Sequence, residues 1–321
     1  VNPTVAVAIV AHGNRDLVLE TLASLTGPGR PSVPHTIAVL DNASEDGTVE
    51  AIRERFPDVL LIDQPFRAGF GANHNRLLAA CAAPYHLILN DDARVESHTV
   101  DRLIAHLEAN PAVGVAAPVV RYPDGRHQPS AYRFPDPATS LRSLLTLGQL
   151  GVEQRPQAGP TPVDWASGCA LLLRRSALDR CGTFDEGFFM FSEEVDLQRR
   201  LREWGFHTEI VPAARVVHHV GAASGGEHSR RAVEFWRSRR RYWAKHHPGW
   251  EGTTARTLLG AQYGALAGIA ELRRLPGPLR GRLAGLSSEG LRLHARNALR
   301  GPTGPGLREG AEEWNRRHRT P

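Results

Sequence analysis

The chain is poor in cysteine. Its three thiols, Cys81, Cys169 and Cys181, form no C-x-x-C pair and leave an odd one over, which excludes a disulfide framework and predicts free thiols in a reducing compartment. Long apolar runs are equally scarce. Nothing approaches the roughly 20 residues that a membrane-crossing helix needs, and the nearest stretch, Thr257 to Ala270, is short and rich in Gly and Ala. No charged-then-apolar leader precedes Val5, where a buried strand already begins, so a cytoplasmic protein is expected. No helix-turn-helix, zinc-finger or RNP pattern accompanies the basic residues, which argues against a nucleic-acid partner. What is present, 41% hydrophobic and 23% charged residues over 321 positions, is the composition of a globular protein able to bury a large core.

The net charge of +5 hides an asymmetry. Residues 228–321 hold 19 Lys and Arg against 7 Asp and Glu, whereas residues 1–227 hold 20 against 27. A basic tail of this kind meets a diphosphate or an anionic lipid surface, or is simply a solvated helical face.

Apolar runs alternate with helical periodicity from the start: Val5 to Ala11 then Asp16 to Leu25, Thr36 to Leu40 then Asp46 to Arg55, Val59 to Ile62 then Phe70 to Ala80, Tyr85 to Leu89 then Ser97 to Ala109. Such repeats predict an α/β fold with a doubly wound, mostly parallel sheet. From about Pro118 to Pro162 the pattern degrades into a loop-rich insertion with one apolar stretch, Leu141 to Leu150. A strand over Trp165 to Leu173, a helix over Glu194 to Trp204 and one or two strands over His207 to His219 follow. Helical segments over Ser229 to His246, Thr254 to Leu272, Leu279 to Leu299 and Leu307 to His318 form a C-terminal appendage, so two units are expected, 1–227 and 228–321.

Polar clusters fall where apolar runs end, the place at which such sheets bind ligands. Asp41, at a strand end, can accept from a nucleobase N–H or a ribose hydroxyl, while Ser44 and Asp46 suit helix capping. Arg67-Ala68-Gly69-Phe70-Gly71 leads into a helix carrying Asn75; it is either a phosphate-binding turn, with Arg67 on the diphosphate, or a plain tight turn. Asn90-Asp91-Asp92 closes a buried strand, and adjacent carboxylates suit Mg²⁺ or Mn²⁺ shared with substrate phosphates. Asp164-Trp165-Ala166-Ser167-Gly168-Cys169 and the aromatic run up to Phe189, Phe191 and Glu193-Glu194 surround a carboxylate with groups that exclude water, as a general base for a sugar hydroxyl requires. His218, at a further strand end, can complete a metal site begun by Asp92.

Together these blocks resemble glycosyltransferase family 2, the inverting enzymes of GT-A fold, and within it the rhamnosyltransferase-like branch. Asp41-Asn42-Ala43-Ser44-Glu45-Asp46-Gly47-Thr48 is similar to the D-N-x-S-x-D-G-T block, Gly69-Phe70 with Asn75 to N-x-G-F…N, and Asn90-Asp91-Asp92-Ala93 to N-P-D-A. Gly182 to Leu197 is similar to G-x-F-D-E-x-F-F-x-x-x-E-D-x-D-L, and His218 to Ser224 to H-x-x-G-x-S. The family has Asp where this chain has Glu194, Asn where it has Arg67, and Tyr-Asn where it has His12-Gly13-Asn14.

The resemblance implies that Asp41 reads the base, Asp92 binds Mg²⁺ or Mn²⁺, His218 supports that metal or the diphosphate, and Glu194 stands at the catalytic-base position. Arg67, Gly69, Asn75, Asp91, Trp165 and Gly168 are then expected at the donor, a nucleotide-diphosphate sugar, and Glu193 and Phe189 at the acceptor. The implied donor is dTDP-L-rhamnose, with UDP-galactofuranose or another UDP-hexose next, and the implied acceptor a cell-envelope glycan or a polyprenyl-diphosphate-linked one. The basic tail would then touch the inner face of the plasma membrane. The rivals are a nucleotide-sugar-binding protein without turnover and a nucleotidyltransferase, for which the first strand lacks a Gly-rich basic loop.

Overall fold

The computed structural model describes residues 2–148, 152–219, 228–271 and 288–318. The expected boundary at 227/228, the Val220 to Ser224 part of the last sequence block and the start of the segment expected from Leu279 lie outside these residues. Four strand–helix units come first: β1 (Val5–Ala11), α1 (Arg15–Thr26), β2 (His35–Asn42), α2 (Thr48–Arg55), β3 (Leu60–Gln64), α3 (Phe70–Ala80), β4 (Tyr85–Asn90), β5 (Ala93–Val95) and α4 (Thr99–Ala109). Then come β6 (Val113–Arg121), β7 (Ala131–Tyr132), α5 (Pro137–Leu145), β8 (Thr161–Val163), β9 (Trp165–Ala166), β10 (Ala170–Arg174), α6 (Arg175–Cys181), α7 (Glu193–Glu203) and β11 (His207–His218). The helices α8 (His228–His246), α9 (Trp250–Glu271), α10 (Ser288–Arg300) and α11 (Leu307–Arg317) close the chain.

The main sheet runs β3-β2-β1-β4-β10-β6-β11-β5, with β8 also on β11. β3, β2, β1 and β4 are mutually parallel, and β6 is parallel to β11. β10 alone reverses between β4 and β6. Because it is antiparallel to both, the C-terminal ends of β1, β2, β4, β6 and β11 share one edge, where parallel sheets carry their ligand crevice. The strands are buried on both faces, by α1, α2 and α4 through Leu22, Ile52 and Leu103 on one side and by α3, α6 and α7 through Leu77, Leu178 and Leu197 on the other.

Besides the short strands β5, β7 and β8, the following elements differ from the sequence reading. Val113–Arg121 is a strand whose Gly114 and Pro118 masked its apolar character. Within the irregular insertion, α5 starts at Pro137 under an Asp136 cap whose side chain accepts the Thr139 N–H. The run Trp165 to Leu173 is two strands, β9 and β10, separated by a turn at 167–169. The short α6 follows β10 directly.

The C-terminal helices share a third core with the sheet domain. Trp236, Tyr242 and Trp243 of α8, Ala255 of α9 and Ala298 of α10 pack on Phe134, Phe188 and Val195. Among the described residues no helix is long and apolar enough to cross a membrane. Trp236 is fully buried in this core. Trp236→Ala is therefore expected to cost roughly 3–5 kcal/mol and to lower the single denaturation transition of the whole chain. A separate early transition in guanidinium titrations followed by circular dichroism would show instead that the helices unfold by themselves.

Candidate active site

The short ladder between β5 and β11 pairs Ala93 with His218, and the His219 N–H donates to the Asp92 carbonyl at 3.0 Å. This register faces the Asp92 carboxylate toward the His218 ring, with Oδ1 3.0 Å from Nε2. Apart from that contact, Asp92 Oδ1 is buried without a hydrogen-bond partner. Burial pushes the His218 pKa down, but the interactions with Asp92 and Cys169 outweigh it and raise it to about 10. The other ring nitrogen, Nδ1, lies 2.9 Å from the Gln128 side-chain nitrogen, and Gln128 Oε1 has no partner. With the amide turned over, Gln128 accepts Nδ1–H, the kind of outer partner that orients a metal-ligating histidine, and Nε2 would have to give up its proton for a cation to bind there.

Asp91 is directed elsewhere. Its Oδ2 accepts from the His12 N–H and the Asn14 side chain, each at 3.3 Å, so it ties β4 to the end of β1. Burial first, then the charge of Asp92, raises its pKa to about 7. Among the described residues no three His, Cys, Asp or Glu side chains come close enough to hold a metal by themselves. Asp92 and His218 nevertheless fit a divalent cation that takes its remaining ligands from substrate oxygens, as Mg²⁺ commonly does.

At the far side of this edge, Asp41 is 1% exposed. Its Oδ2 accepts the Ser44 N–H at 2.8 Å, whereas Oδ1 is buried without a partner. Burial raises its pKa despite the bonds from Ser44. The adjacent Asn42 grips the loop after β3, accepting the Ala68 N–H at 2.8 Å and donating to the Ala68 carbonyl at 3.2 Å. Arg67 in that loop pairs with Glu45 at 2.9 Å. Gly69 has a different task from an open anion turn: the following amide, Phe70 N–H, donates to the Phe189 carbonyl at 2.9 Å, and a Cβ at Gly69 would stand 2.4 Å from that same oxygen. Asn75 likewise clamps the 184–186 segment, accepting the Phe184 N–H and donating to the Phe184 carbonyl and Glu186.

Phe191 and Ser192, both left-handed (φ 68° and 66°), swing the chain into α7. Glu193 is 3% exposed and lies near Gly71, whereas Glu194 is half-buried and faces the turn between β9 and β10. A Cβ at Gly168 would be 3.9 Å from Glu194 Cβ and 3.2 Å from the Phe70 ring, so a side chain there would crowd Phe70, while Glu194 Oε2 is buried without a hydrogen-bond partner. Burial raises the Glu194 pKa, partly offset by backbone N–H groups and the charge of Arg239, and raises that of Glu193 further with the help of Glu194. Trp165 stacks near Tyr132 with ring centroids 4.9 Å apart, and its Nε1 donates to the Arg133 carbonyl.

Asp196 ties α7 to α8. It is fully buried, and its carboxylate is held by His246 and Lys245, each at 2.8 Å, and by Arg200 at 2.9 Å. These hydrogen bonds overcome burial and hold its pKa down at about 2. Two further ties bind the same segment to α8: Arg241 and Lys245 reach Asp185, and Ser238 Oγ donates to the Met190 carbonyl at 2.8 Å. The sequence assigns no individual role to Gln128, Arg239, Lys245 or His246, since nothing local marks a residue whose partner lies far along the chain, as 90 positions for Gln128 and 50 for His246.

Known proteins agree with this architecture. Residues 6–182 match the model of glycosyl transferase family 2. The N-acetylglucosaminyl-diphospho-decaprenol L-rhamnosyltransferase of Mycobacterium tuberculosis is 30% identical over 243 residues, 68% of this chain and 77% of the relative. The rhamnosyltransferase WbbL of Escherichia coli is 26% identical over 67% of this chain and 83% of its own length. In fold, the chain is similar to a mannosyltransferase from Pyrobaculum calidifontis solved with GDP-Man and Mn²⁺, with a TM-score of 0.57 and 19% identity over 94% of this chain and 84% of that one. The family match over more than half of the sequence, on a sheet whose ligand edge carries the expected acidic groups, makes this chain a member of glycosyltransferase family 2 with a GT-A fold.

Proposed function

We propose that the chain is an inverting, metal-assisted transferase that moves a sugar, L-rhamnose from dTDP-L-rhamnose first among the candidates, to a hydroxyl of a polyprenyl-diphosphate-linked or other envelope glycan. One observation carries the reading. Gly168 lies against the Glu194 Cβ while the next residue, Cys169, interacts with His218, so the 168–169 dipeptide links the start of α7, which carries the proposed base, to the Asp92–His218 pair. The sugar and the acceptor class rest on the two rhamnosyltransferase relatives. UDP-galactofuranose and UDP-hexoses form the second donor class.

In this mechanism Asp41 Oδ1 accepts from the nucleoside, Arg67 and the loop around Ala68 border the nucleotide, and Asp91 holds the ends of β1 and β4 together. Trp165 and Gly168 shape the sugar pocket, with Gly69 and Asn75 fixing the backbone behind it. Glu193 and Phe189 lie on the acceptor side. Glu194 removes the proton of the acceptor hydroxyl as its oxygen bonds to the anomeric carbon, and the bond from that carbon to the diphosphate oxygen breaks on the opposite face. Configuration inverts. A divalent cation held by Asp92 and His218 would supply the positive charge that stabilises the departing diphosphate.

Glu194→Gln is expected to lower kcat by about 10²–10⁴ while leaving the donor Kd within about twofold. Full activity in a transfer assay would remove Glu194 from the base role. A base must be ionised to act, so with its pKa raised the wild-type kcat/KM should fall on acidification at a pH above the ordinary glutamate range. A pH–rate profile flat to pH 5 would contradict this. Asp92→Asn should abolish the manganese-dependent part of the thermal stabilisation by dTDP-L-rhamnose, and an unchanged shift would count against the metal assignment.

A polyprenyl-linked acceptor also implies work at a membrane surface, with the basic residues of 228–321 toward anionic headgroups. Co-sedimentation with phosphatidylglycerol vesicles that does not weaken between 0.05 and 0.5 M salt, roughly the range over which charge attraction is screened, would reject that contact.

A further inference from the structure

The last helix, α11, lies beyond the residues matched by the family and sits on the nucleotide side of the crevice. Asn315 reads both backbone groups of Arg67: its Oδ1 accepts the Arg67 N–H at 2.7 Å and its Nδ2 donates to the Arg67 carbonyl at 2.9 Å. Its neighbour Trp314 places its ring 4.4 Å from the Arg67 guanidinium carbon and donates Nε1–H to Glu45 at 3.0 Å. The same carboxylate oxygen of Glu45 takes the Arg67 guanidinium at 2.9 Å. His318 stacks on Trp314, with centroids 4.0 Å apart and planes 14° from parallel.

The loop after β3 is thus held from two sides, by Asn42 through Ala68 and by Asn315 through Arg67. Asn42 adjoins Asp41, whose buried Oδ1 lacks a partner. The charge of Arg67 reaches the crevice, since after burial it is the main influence that lowers the pKa of His12, whose ring bonds the Asn42 carbonyl. A long cationic side chain fixed before the ligand arrives loses little further freedom when an anion binds.

We propose that Trp314 and Asn315 are positioning residues of the donor site: through Arg67 and its loop, the C-terminal helix sets the affinity for the nucleoside diphosphate. The proposal rests on the reading of the Asp41 end as the nucleotide end. Glu45, Trp314 and Asn315 act through Arg67 and its backbone rather than on the sugar.

Calorimetric titration of the full chain with dTDP and UDP, in manganese, tests it. Trp314→Ala and Asn315→Ala should each weaken nucleoside diphosphate binding about tenfold, the scale of a stacking and hydrogen-bonded contact. The donor KM should rise in step while kcat stays within about twofold. Trp314→Phe, which keeps a ring under the guanidinium but loses the bond to Glu45, should recover part of the affinity. Wild-type Kd values in both alanine variants, with or without a fall in Tm, would overturn the positioning role alone. Failure of the wild type to bind either nucleotide would overturn it together with the donor-site reading.

Discussion

The contact between Asp92 and His218 depends on a three-residue ladder. β11 runs parallel to β6 for most of its length and only at its end picks up β5 on the other side, pairing Ala93 with His218. Without that last ladder the carboxylate after β4 and the imidazole after β11 have no shared register. The reversal at β10 is the larger constraint behind it: a strand antiparallel to both β4 and β6 lets two parallel blocks present their C-terminal ends along one edge. A carboxylate and an imidazole therefore meet in a buried setting, where charges interact far more strongly than in water.

The sheet's first half was legible because each unit repeats the same signal, an apolar run followed by helical periodicity, as in Val5–Ala11 and Arg15–Thr26. Legibility failed where a strand carries residues that interrupt such runs, as Gly114 and Pro118 do in β6. It failed again where a single apolar run divides between two sheets, as at Ser167-Gly168 between β9 and β10. The candidate site followed the same rule. Asp41, Asp92, Glu194 and His218 stand at element ends that hydrophobic patterning locates. Gln128, Lys245, His246 and Asn315 matter through partners distant in the chain, which patterning does not report. The sequence leaves Gly69 open between an anion-binding turn and a plain tight one, because backbone flexibility is visible in a sequence, whereas the Phe189 carbonyl it must clear is not.

The basic tail is only partly a solvated face. Arg241 and the chain's one lysine, Lys245, are turned on Asp185 and Asp196, Arg237 on Glu309, and Arg239 is buried near Glu194. Surface ion pairs are worth little by themselves. The Asp196 cluster differs, since a fully buried carboxylate stripped of its cations would leave a charge without compensation. The excess of arginine in the C-terminal helices thus serves assembly of the fold as well as its outer field.

The left-handed pair Phe191-Ser192 has its own implication. Such backbone costs on the order of 1–3 kcal/mol per residue and persists only where its surroundings enforce it. Contacts from α8, through Ser238 on Met190 and Phe235 against Phe191, add to those of Phe70 and Asn75 on the preceding residues. During synthesis the strands and α7 emerge from the ribosome well before the α8 contacts exist. The approach to α7 therefore takes part of its support from residues that translation adds only after the whole sheet has been made.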